Sequence, residues 1–184
     1  MNYDPAIHHR RSIRLRGYDY SQPGSYHVTL CTEGKQHLFG QIVEGEMHLN
    51  ERGECVARCW KWLAQRYPYI DLDEWIVMPN HLHGIIAITN RSGGSLTAPT
   101  DSRAIGDGGG SRTDPTKRKT LGRLVGAFKT VSTNDVNQLR GVQGELLWQR
   151  GFYDHIIRNE DELDKIREYI RTNTVQWASD PDFT

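Results

Sequence analysis

No apolar run in this chain approaches the roughly 18 residues that a membrane-spanning helix needs. The mean hydropathy is −0.67. The first stretch, Met1 to Arg16, is rich in His and Arg and lacks the apolar segment of a secretory signal. A cytoplasmic protein with no membrane partner is therefore expected. Cysteine is scarce: Cys31, Cys55 and Cys59 make an odd count. Cys55 and Cys59 stand four apart on an expected helix and share a face, but the second pair that a Cys-type zinc site would need is missing. Three free, mostly buried thiols in a reducing compartment are expected. Net charge is also absent, because 23 Lys and Arg balance 23 Asp and Glu. Global charge therefore does not announce a nucleic-acid partner, and there are no internal repeats.

The distribution of charge is more informative than its sum. Residues 112–129 hold Arg112, Lys117, Arg118, Lys119, Arg123 and Lys129 against a single acid, Asp114. Residues 8–16 hold His8, His9, Arg10, Arg11, Arg14 and Arg16. Basic clusters on a neutral protein can form a phosphate-binding surface. Arg123 and Lys129, six residues apart, would lie along one edge of a helix and could face phosphates.

The chain of 184 residues is the size of one domain. Residues 26–32 are β-rich and read as a strand. Residues 37–43 and 46–49 flank Glu44-Gly45, a hairpin turn signal. Asn50 is placed to cap a helix that carries Val56, Trp60 and Leu63 at helical spacing. Residues 72–77 and 81–89 read as strands separated by Pro79-Asn80. From about 90 to 117 the composition turns to Gly, Ser, Thr, Asp, Pro and Arg, an insertion too poor in apolar residues to build a core. A helix is expected over 120–139, a strand over 152–157, and a last helix capped by Asn159 with Glu162 three residues on. This order predicts an α+β domain, an antiparallel sheet with helices in a ferredoxin-like split βαβ arrangement.

One constellation carries chemistry. His81-Leu82-His83 lies on an expected strand, so both imidazoles project from one face while Leu82 enters the core. Two convergent imidazoles can hold a divalent cation and leave positions open for a substrate oxygen. Gly84, next along, would let a ligand or another backbone approach closely. On the last helix, Tyr169 and Asn173 are i and i+4, beside the Leu163/Ile166/Ile170 stripe rather than at its centre. An amide oxygen can complete a metal site, and a phenol beside that metal could attack a phosphorus. Tyr153, on a strand with His155 and Ile157, is a rival nucleophile that spacing alone does not rank. His155 could assist as an acid or base.

Met78-Pro79-Asn80-His81-Leu82-His83-Gly84 resembles the HUH strand of the REP-associated tyrosine transposases, relatives of the small single-tyrosine transposases of insertion sequences. Residues 10–20, Gly126-Ala127-Phe128-Lys129 and Trp148 to Arg158 also resemble that family. So does the last helix, with its Tyr-Ile-x-x-Asn pattern at 169–173. The likeness spans nearly the whole chain apart from residues 90–117, with Thr174 standing where relatives commonly have Pro. The resemblance implies an HUH endonuclease of the transposase type, dependent on Mg²⁺ or Mn²⁺, that cleaves and rejoins single-stranded DNA bearing REP-like hairpins. It implies His81, His83 and Asn173 as metal ligands. It implies Tyr169 as the nucleophile, forming a 5′-phosphotyrosine and freeing a 3′-hydroxyl. Arg14, Arg16, Arg123 and Lys129 are the expected DNA-binding residues. A monomer or homodimer associated with the nucleoid is expected.

Two alternatives stand beside this reading. One is the same chemistry in a replication-initiator or relaxase nickase. The other is a hairpin-binding protein that keeps the fold without turnover. A nucleotide hydrolase with three strand histidines fits poorly, because position 85 is Ile.

Overall fold

Strand β1 (Gly24–Cys31) shows why the sheet has two unlike faces. Tyr26, Val28 and Leu30 are fully buried in the main apolar core. Alternation turns His27 and Thr29 to the opposite side, where they too are buried. This is seen in the computed structural model of the chain, which describes residue 15 and residues 17–90 and 118–177. Arg14, Arg16 and, apart from Asn90, the expected insertion at 90–117 lie outside the described residues.

A short 3-10 turn (Glu33–Lys35) follows β1. Then come β2 (Gly40–Val43), β3 (Glu46–Leu49), α1 (Glu51–Arg66), β4 (Ile70–Val77), β5 (His81–Ile88), α2 (Leu121–Arg140), β6 (Tyr153–Ile157) and α3 (Glu160–Gln176). The main sheet has the order β4-β5-β1-β6, with every neighbouring pair antiparallel. The crossover through α1 joins β1 to β4 with β5 between them, and the crossover through α2 joins β5 to β6 with β1 between them. That is the split βαβ arrangement of a ferredoxin-like α+β fold. β2 and β3 form a separate hairpin. Its turn places Glu44 at φ 53° and Gly45 at φ 81°, the left-handed pair that a tight hairpin with native strand twist requires.

The expected caps form. Asn50 accepts from the backbone N–H of Arg52 and Gly53 at 3.0 and 3.1 Å. Asn159 accepts from Glu162 N–H at 2.8 Å. The Glu162 carboxylate turns back to Arg158 N–H, one residue before the cap. No described helix is long and apolar enough to cross a membrane.

α1 and α2 cover one face of the sheet, where Trp60, Leu63, Leu121, Leu124 and Phe128 join the strand residues in the larger core. The residue behind the histidine pair belongs to this packing. A Cβ built on Gly84 would overlap the indole of Trp60. The glycine expected to admit a ligand or another backbone instead admits a core side chain on the face away from the histidines. α3 covers the other face, where Leu163 and Ile170 pack on Ile85 and Ile157. This second core is small, and polar groups fill much of the rest of the interface.

An irregularity of β4 holds α3 in place. Leu72 pairs with Ile86 and Trp75 with Gly84, so three residues on β4 span two on β5. The bulge leaves Asp73 and Glu74 to be met by α3. Arg167 donates to both Asp73 oxygens at 2.9 and 2.6 Å, and Arg171 donates to Glu74 at 3.0 and 2.8 Å. The arginines are one helical turn apart, on the side of the apolar stripe opposite Tyr169.

Candidate active site

The site is the layer between the polar face of the sheet and α3. Pairing of β5 with β1 sets Thr29 opposite His83 and Cys31 opposite His81. Both histidines are buried, His81 completely and His83 to 2% exposure. They are closed in by α3. Their rings lie 4.5 Å apart at 77°.

Each imidazole is oriented from its Nδ1 side. His81 Nδ1 is 2.8 Å from Asn80 Oδ1. A carbonyl oxygen can only accept, so His81 donates from Nδ1 and carries its lone pair on Nε2. His83 Nδ1 is 2.8 Å from Thr29 Oγ1. With the hydroxyl accepting, His83 adopts the same tautomer. A hydrogen-bonded Nδ1–H that leaves the lone pair on Nε2 is what a metal-binding histidine needs. Burial pushes His81 down to about 3, against a smaller upward pull from the Asn173 side chain. His83 is also held well below its ordinary range, by burial first and then by His81 and His27. Both are therefore neutral, the form that ligates.

α3 brings its two expected residues to this pair. Tyr169 Oη is 3.4 Å from His83 Nε2, and the phenol ring meets the His83 ring edge-on at 5.2 Å. The Asn173 side chain lies close enough to His81 to oppose the effect of burial on it. Asn173 is 4% exposed, so it continues the buried stripe instead of flanking it. A polar residue is accommodated there because the sheet opposite it presents histidine. Trp177, just past α3, stacks on His81 at 5.6 Å.

Other expected residues lie apart from the pair. Tyr153 pairs with Thr29 on the side opposite His83, so it is separated from His83 by two strand spacings, about 10 Å. Its ring contacts that of His27, and it is exposed. His155 Nε2 is 2.7 Å from Glu162 Oε1, at the start of α3. Arg123 is exposed on α2. Lys129 is turned inward: its ammonium donates to the carbonyls of Gln149 and Gly151, each at 2.7 Å, and burial lowers it to about 8.

Sequence reasoning missed Asn80, Thr29 and His27. Asn80 precedes the first histidine and could have been read as its orienting group. Thr29 and His27 come from another strand, and only register reveals them. His27 is buried, its Nε2 has no hydrogen-bond partner among the described residues, and its ring stacks on His83 at 5.5 Å. Burial, with help from His155, lowers it to about 4. No third His, Cys, Asp or Glu among the described residues joins His81 and His83 within ligating reach. The Asn173 amide, beside His81, could supply a third ligand. Two imidazole nitrogens and an amide oxygen could hold a divalent cation and leave positions for phosphate oxygens.

No family model matches the chain. An uncharacterised protein of Haemophilus influenzae is 38% identical over 178 residues, covering 97% of this chain and 95% of that protein. Among solved structures, a REP-associated tyrosine transposase bound to a REP hairpin superposes with a TM-score of 0.54 at 16% identity, over 89% of this chain and 73% of that one. A candidate transposase from Deinococcus radiodurans gives a TM-score of 0.46 at 16% identity, over 86% and 95% of the two chains.

Proposed function

Because this chain belongs to one family with the Haemophilus influenzae protein and has the fold of a REP-associated tyrosine transposase, we propose that it is a metal-dependent endonuclease of the transposase type, cleaving and rejoining single-stranded DNA beside a hairpin. The observation that carries this reading is the contact of Tyr169 Oη with His83 Nε2 at 3.4 Å. It sets a nucleophile-type side chain against a neutral, oriented histidine pair.

His81, His83 and Asn173 would hold the cation. When bound, it would polarise the scissile phosphate and favour ionisation of the phenol, whose unperturbed pKa is about 10. The Tyr169 oxygen then bonds to phosphorus as the bond from phosphorus to the 3′-oxygen breaks. The departing oxygen takes up a proton and becomes a 3′-hydroxyl. Attack of a 3′-hydroxyl on the phosphotyrosine reverses the step and returns the proton, so strands are rejoined without an outside energy source. The Ile170 and Leu163 packing and the arginine clamps hold Tyr169 in place, and Asn80 and Thr29 fix the imidazoles.

The test uses a labelled single-stranded oligonucleotide that carries a hairpin. Wild-type protein with Mn²⁺ should give both a cleaved 3′-hydroxyl product and a covalent protein–DNA adduct. EDTA, His81→Ala, His83→Ala and Tyr169→Phe should each abolish them while hairpin binding persists. Tyr153→Phe should retain both products. An adduct that survives Tyr169→Phe and is lost in Tyr153→Phe would move the nucleophile to β6. Binding without cleavage in every divalent metal would favour the non-catalytic binder.

A further inference from the structure

α1 and α2 bring together three ligand-type side chains that the proposed DNA chemistry does not use. Cys55 and Cys59 lie one turn apart on α1 and are 3% and 4% exposed. Asp135 meets them from α2, and Cys59 Sγ lies 3.5 Å from Asp135 Oδ2. One ligand atom from each of the three residues lies within 4.8 Å of the others, the sole such group of His, Cys, Asp or Glu among the described residues. We propose that Cys55, Cys59 and Asp135 form a binding site for a zinc-like divalent cation that staples α1 to α2.

The geometry fits such an ion before it arrives. With a metal–sulfur bond of about 2.3 Å and a metal–oxygen bond of about 2.0 Å, a tetrahedral site has a sulfur–oxygen edge of about 3.5 Å. That is the Cys59–Asp135 separation. Two thiols and a carboxylate thus share one pocket. A dication would neutralise them, releasing the thiol protons to solvent. Thiolate ligands favour zinc over Mg²⁺ or Mn²⁺. The fourth position falls to water, admitted on the partly exposed side of Asp135.

The staple would sit on the face of the sheet opposite the histidine pair. α1 also carries Trp60, whose indole packs on Gly84 directly behind His83. Fixing α1 to α2 would therefore brace the wall on which the candidate site stands.

The experiment uses Co²⁺ as the probe, on reduced and chelator-stripped protein that carries His81→Ala and His83→Ala. One equivalent of Co²⁺ should produce a thiolate-to-cobalt charge-transfer band, and Zn²⁺ should bleach it by displacement. Zn²⁺ should also raise the melting midpoint of this protein by several degrees. Asp135→Asn, at a partly exposed position where folding is expected to survive, should weaken Co²⁺ binding by about tenfold or more. Replacing both thiols, Cys55→Ser with Cys59→Ser, should remove the band. Absence of the band in the parent protein would overturn the site. So would a band that persists in that double variant, or an unchanged affinity in Asp135→Asn. None of these readouts depends on DNA cleavage, so the outcome is separate from that of the proposed nuclease.

Discussion

Arg167 holds Asp73 through two hydrogen bonds, Nε at 2.9 Å and Nη2 at 2.6 Å, and so ties the helix of Tyr169 to the edge strand of the sheet. Arg171 repeats the contact one turn later on Glu74. Asp73 is held below the ordinary carboxylate range, first by the Arg167 hydrogen bond. Both ion pairs are part-exposed, so each contributes little to global stability. Their larger effect is on position.

The double variant Arg167→Ala/Arg171→Ala should therefore melt within a few degrees of wild type. Its single-turnover cleavage should nevertheless fall by about tenfold to a hundredfold, because displacement of a reacting group by about 1 Å can have that effect. A wild-type rate in single-turnover assays would show that the small apolar core under α3 positions Tyr169 without the clamps.

The buried histidines make stability depend on pH in a defined window. His27 is lowered from 6.5 to about 4 and His81 from 6.5 to about 3, both mainly by burial. Between those values and 6.5 the unfolded chain binds protons that the folded chain does not. Stability is thus fully present above about pH 6.5 and falls as the pH drops toward 4. A shift of this size in one histidine is worth on the order of 3 kcal/mol. Urea midpoints measured in EDTA at pH 7.5, 5.5 and 4.5 should decline, and His27→Gln should make the decline shallower. Equal slopes in the two proteins would mean that His27 does not contribute.

Gly84→Ala tests the wall behind the pair. The new methyl group meets Trp60, which is itself fully buried and packed edge-on against Phe128 at 5.1 Å. Overpacking of this kind costs about 1–3 kcal/mol. Chemical denaturation should show that loss, and the companion change Trp60→Phe should restore part of it. A neutral Gly84→Ala would mean that α1 can shift outward freely.

Lys129 and Arg123 should separate in their effects. Lys129→Ala leaves two carbonyls without their ammonium donor and should lower the melting midpoint by several degrees. Arg123→Ala should leave stability unchanged. If Arg123 touches a phosphate, its loss should reduce the slope of log K against log salt by about 0.7 for a single strand. Identical slopes for Arg123→Ala and wild type would remove this part of α2 from the DNA surface.

Periodicity and turn chemistry determined much of this protein by themselves. The alternation in 26–32 and 81–89, the Glu44-Gly45 turn and the Asn50 and Asn159 caps are local signals, and these elements formed within about two residues of their expected place, except that β2 begins at Gly40, three residues later than expected. The i, i+2 spacing of His81 and His83 and the i, i+4 spacing of Tyr169 and Asn173 follow from strand and helix geometry, so the two halves of the site were legible separately. Tertiary structure alone decided that these halves meet at 3.4 Å. It also ranked Tyr169 nearer the pair than Tyr153, since strand order depends on pairing across distant segments. Register supplied Thr29 and His27, and a single-residue bulge supplied Asp73 and Glu74 as anchors for α3. Packing turned Lys129 toward carbonyls and gave Cys55 and Cys59 a third neighbour, Asp135. None of these follows from spacing along the chain, because each is a contact between segments that only the closed fold brings within reach.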